Sequence, residues 1–110
     1  MGFGVADLVV TYFLKSAVRA FQYVMSFGWE LTTAIVTGQV ILEPFWGCPS
    51  VKLHYTFDSN GSSTQGGDEI PFPAMYYAET YAASFSHNMP RIIRVNPKDP
   101  QKTLFFELDQ

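Results

Sequence analysis

AFQYVMSFGWELTTAIVTGQVIL, residues Ala20 to Leu42, is long enough to cross a bilayer, yet it carries Glu30 near its middle and Gln22 and Gln39 near its ends. Read as a membrane span, a buried helix or a surface helix, it sets the fold of the whole chain. No proline interrupts Val5 to Leu42, and Pro44 follows where a helix would have to stop. Within that run Asp7, Thr11, Lys15, Arg19, Gln22, Ser26, Glu30, Thr33 and Thr37 recur at steps of three or four. That is the helical period, so the spacing predicts one continuous helix with a polar stripe. Leu8, Val9, Phe13, Leu14, Val18, Phe21, Val24, Met25, Leu31, Ile35 and Ile41 form its broad apolar side.

At 1.5 Å per residue such a helix would be roughly 57 Å long, nearly twice the thickness of the hydrocarbon layer. The expected span is therefore Ala20 to Leu42. Lys15 and Arg19 precede it as cationic anchors, and Phe45 and Trp46 follow it as an aromatic belt. The turns from Val5 to Val18 would lie along the membrane or against a neighbouring subunit. A central acid costs about 2.5–3.5 kcal/mol on insertion scales, so the stripe should face other helices. Gln22, Ser26, Glu30, Thr33 and Thr37 are then the helix–helix contacts. A peripheral amphipathic helix and a soluble helix over a core are the alternatives, and Glu30 as a proton relay is a minor one.

Composition points the same way. Of 110 residues, 47% are hydrophobic and only 15% charged, against roughly 25% charged in an ordinary soluble domain. A formal net charge of −3 without a Lys/Arg cluster excludes nucleic acid as a partner class. The opening MGFGVADLVV lacks the basic start of a secretory signal and is read as part of the mature protein. Gly2 lacks the Ser or Thr that a myristoylation site needs at position 6, where Ala6 stands.

Beyond EPFWGCP, VKLHYTF alternates apolar Val51, Leu53 and Tyr55 with polar neighbours, as a half-buried strand does. Asp58 to Glu69 reads as a polar, glycine-rich loop. AMYYAETYAASF, after Pro71 and Pro73, reads as a covered helix whose Tyr77, Tyr81 and Phe85 offer an aromatic surface to a partner. RIIRV and TLFFEL read as two strands of a hairpin or as extended arms. The fold expected is an α+β membrane protein, with residues 1–46 the long transmembrane helix and residues 47–110 a small extramembrane region.

Motifs for chemistry are weak. Asp58, Asn60, Ser62, Thr64 and Glu69 fall at ligand positions of a calcium loop, but Ser63 replaces the turn glycine and a strand precedes it. His54 and His87 lack the spacing of a zinc site. Cys48, the single cysteine, cannot form an internal disulfide. Asn60-Gly61-Ser62 is a glycosylation sequon. No nucleophile, base and orienting group assemble, so no catalytic residue, metal or cofactor is expected. The function expected is a non-catalytic accessory, single-pass subunit of a large membrane complex. Respiratory-chain or ATP synthase assemblies of the mitochondrial inner membrane rank first, with the N-terminus in the matrix and with membrane subunits and lipids as partners. A secretory-pathway membrane protein with a small ectodomain and a soluble small-molecule binding domain are the rivals.

Overall fold

The computed structural model describes residues 3–43, 47–59, 61–85 and 88–110, with the side chains of the first helix described from residue 9 onward. Helix α1 spans Phe3–Met25 and is followed by strand β1, Glu30–Leu42. Strands β2 (Ser50–Ser59) and β3 (Ser62–Pro71), helix α2 (Met75–Ala83), strands β4 (Met89–Asn96) and β5 (Asp99–Phe105), and a closing 3-10 turn, Glu107–Asp109, complete the order.

The single helix expected from Val5 to Leu42 therefore stops at Met25, and its second half is a strand. The local cause is chemical. Ser26 to Trp29 form a turn in which the Trp29 N–H donates to the Ser26 carbonyl at 3.0 Å, with Gly28 inside it. Beyond it, Thr32, Thr33, Ile35, Val36, Thr37, Val40 and Ile41 are β-branched, and such side chains lose rotamer freedom in a helix but pack well on a pleated surface. Among the described residues no helix is long and apolar enough to cross a membrane. The expected transmembrane helix with a small mixed domain behind it is replaced by a small helix/strand domain, close to half of it strand. The stretch Ala20 to Leu42, expected as the span in both single-pass readings, is divided between the end of α1, a turn and β1.

The sheet is antiparallel in the order β3-β2-β1-β4-β5. β1 is its centre, pairing Ala34 with Phe57 of β2 and with Arg91 of β4. The strands on either side of the expected division at residue 46 are thus bonded to each other. Val36 pairs with Tyr55 and Gly38 with His54, leaving Thr37 as the extra residue of a bulge, where its hydroxyl donates to the His54 carbonyl at 3.2 Å. The segment read as a glycine-rich loop is mostly β3. Ser59 pairs with Ser62 across a tight turn whose Gly61 has φ +81°, a conformation that favours glycine. RIIRV and TLFFEL do form a hairpin, with Ile93 opposite Phe105.

Alternation on β2 places Val51, Leu53, Tyr55 and Phe57 inward, where they meet Val36, Ile93, Val95 and Phe105. Helix α2 packs on β1 and β2 through Ala78 and Ala82, both buried and small enough for close approach. The edge strands β3 and β5 come near each other and almost close the sheet into a barrel. Across that seam the Tyr55 hydroxyl reaches Thr103 at 2.7 Å. A Cβ at Gly66 would stand 2.7 Å from the Tyr55 ring, so the absence of a side chain there is what lets the phenol through.

Candidate docking surface

α1 is held to the barrel by its polar side. Arg19, on that side, closes the seam between β3 and β5. Its guanidinium donates to Asp68 Oδ2 at 3.0 Å, to the Glu69 carbonyl at 3.0 Å and to the Phe105 carbonyl. Asp68 Oδ2 also accepts from the Phe105 N–H at 2.9 Å, so one ion pair does there what backbone bonds do elsewhere in the sheet. Lys15 adds a looser pair with Glu69 at 3.7 Å.

The C-terminal end of α1 is fixed by Arg94 of β4, buried at 5% exposure. Its guanidinium forms a two-pronged bond with Asp109 at 2.8 and 2.9 Å, and donates to the Tyr23 carbonyl at 2.8 Å and the Ser26 hydroxyl at 2.9 Å. The rings of Tyr23, Phe27 and Phe106 surround it, Tyr23 with its centroid at 4.3 Å. Hydrogen bonding to Asp109 holds this guanidinium above its ordinary pKa, more than offsetting burial. Burial pushes the Tyr55 hydroxyl well above the usual phenol range, and it does the same to Tyr81, whose hydroxyl donates to Glu107.

With its polar side inward, α1 turns its apolar side out. Every exposed residue from Val9 to Met25 is apolar. Val10, Phe13, Leu14, Val18, Phe21, Val24 and Met25 are each more than half exposed, and Phe27 and Leu31 continue the patch at 64% and 60%. Together they form a contiguous apolar face along the helix, of the kind that marks an interaction or membrane-contact site.

The residues expected to meet partner helices separate into two groups. Gln22 and Ser26 face their own domain, Ser26 as an Arg94 partner, whereas Glu30, Thr33 and Thr37 are exposed on β1. Of the expected membrane anchors, Lys15 and Arg19 lie against β3, while Phe45 and Trp46 lie outside the described residues. On α2, Tyr77 is exposed and Tyr81 is half-buried, while Phe85, just beyond the helix, is part of the core and packs edge-on against Tyr81 with centroids 5.0 Å apart.

Asp58, Ser62, Thr64 and Glu69 stand on the paired strands β2 and β3, so the calcium-type loop does not form. Asn60 and His87 lie outside the described residues. His54 is exposed on β2, Cys48 is buried, and among the described residues no group of three metal-ligating side chains comes together. Sequence spacing gave no notice of Arg94, Asp68, Asp109 or Thr103, whose partners lie far away along the chain. Comparison with protein-family models, curated proteins and solved structures finds no match for this chain.

Proposed function

We propose that this chain is a non-catalytic module that rests on a membrane surface through the outward side of α1 and serves as an accessory part of a membrane-bound assembly. One observation carries the reading: the exposed side of α1 from Val9 to Met25 offers no side-chain hydrogen-bond donor or acceptor. Protein interfaces keep a polar rim and make about one hydrogen bond per 100–200 Å². A face of this size with none matches hydrocarbon, which offers none in return. The helix lies in the plane of the surface on this reading, with the barrel held above it by Arg19 and Arg94. Respiratory-chain and ATP synthase complexes carry many small accessory parts and are the assemblies to search first.

The test is flotation of the purified chain with phosphatidylcholine vesicles, beside a Phe13→Glu, Phe21→Glu double variant. The chain is expected to float, and the double variant to lose at least about tenfold in partitioning, since each buried aromatic is worth about 1.5–3 kcal/mol. The far-UV spectrum of the variant should be unchanged. A chain that stays with the lipid-free fraction as a dimer would contradict the reading and assign the face to a second copy.

A further inference from the structure

We propose that the groove between the C-terminal half of α1 and β5 binds the phosphate group of a single phospholipid. The site rests on the membrane-surface reading above. The groove, about 330 Å³, is walled on one side by Phe21 and Met25, which belong to the outward apolar face, and on the other by Gln101 and Lys102. Gln22 and Trp29, both half-buried, also line it, with Gly67 of β3 and Thr103 and Leu104 of β5.

The charges around α1 single out this end of the helix. Lys15, Arg19 and Arg94 are engaged by Glu69, Asp68 and Asp109. Among the described residues Lys102 has neither an ion-pair nor a hydrogen-bond partner, and it is exposed at the edge of the apolar face. An ammonium is a point-charge donor for phosphate, and Gln22 of α1, which lines the same groove, carries an amide able to donate an N–H. The Trp29 indole supplies a ring of the kind that settles at headgroup depth. Phe21 and Met25 lead from the polar end of the groove onto the face that meets acyl chains. A phosphate at Lys102 thus has its chains in register with the apolar side of α1, a juxtaposition that a free phosphate ion does not use.

The experiment is vesicle flotation of the full chain and three variants on phosphatidylcholine. Lys102→Glu is expected to weaken partitioning about fivefold, the order of one net hydrogen bond lost to the lipid phosphate. Lys102→Arg should stay near the parent, and Lys98→Glu, a charge change at an exposed lysine of the same hairpin outside the groove, should have no more than a small effect. Equal binding by Lys102→Glu and the parent, or equal loss in Lys98→Glu, overturns the site and leaves the membrane reading standing. Failure of the parent to float overturns both. A second arm follows Trp29 fluorescence in a Trp46→Phe background. Emission should shift with vesicles and not with millimolar inorganic phosphate; a shift with phosphate alone overturns the assignment to lipid.

Discussion

Tyr55 threads its phenol through the barrel interior, over the bare backbone of Gly66, to a hydroxyl on the far edge strand. Burial raises its pKa, so the folded chain holds the phenol proton more tightly than the unfolded chain does. The sign follows from linkage. The contribution to stability is complete below the unfolded value near 10 and is lost as the pH rises above it. Urea unfolding followed from neutrality upward should therefore show stability falling once the pH passes about 10. Tyr55→Phe should start less stable by about 1 kcal/mol for the lost hydrogen bond and fall less steeply with base. Tyr81, shifted in the same direction, leaves a residual slope. A slope unchanged by the substitution would contradict this account of the phenol. The inward face of this strand was legible from VKLHYTF alone, since alternation is local. The Thr103 partner was not, because it lies 48 residues away and no pattern in the chain joins the two.

At the scale of elements, the polar stripe was legible and its destination was not. Thr11, Lys15, Arg19, Gln22 and Ser26 do share one side of a helix, but that side meets the chain's own barrel rather than other helices. The stripe ends at Ser26. Glu30, Thr33 and Thr37 continue the three-and-four spacing by coincidence across a turn, while the β-branched run from Thr32 and the Gly28 break carried the opposing signal. Arg94 is what ties these elements together, joining the end of α1, β4 and the closing 3-10 turn through Ser26, Tyr23 and Asp109. Arg94→Met keeps much of the side chain's bulk but strands the Asp109 carboxylate. Removing one partner of a buried pair costs about 3–5 kcal/mol, so denaturant unfolding should show a loss of that order. A loss under about 1 kcal/mol, the range of an exposed pair, would mean that the contact is incidental.

For the whole molecule, the arrangement is a barrel nearly closed by its own strands, sealed by one ion pair, with a helix lying over the seam and its oily side to the outside. Low charge content and a 23-residue apolar-rich stretch suggest a span; the second half of that stretch is instead the central strand, and on the proposed function the contact with lipid is made by the surface of α1. Spin labels measure that distinction directly. In a Cys48→Ser background, single labels at Leu14, Val18, Phe21 and Met25 report on the outward side of α1, with exposed Thr33 and Lys98 as references on the barrel. On phosphatidylcholine vesicles the four helix labels should become accessible to oxygen and protected from a water-soluble nickel complex, while the two references stay open to nickel. Four helix labels open to nickel with vesicles present, or closed to both reagents before any lipid is added, would contradict the membrane-surface account.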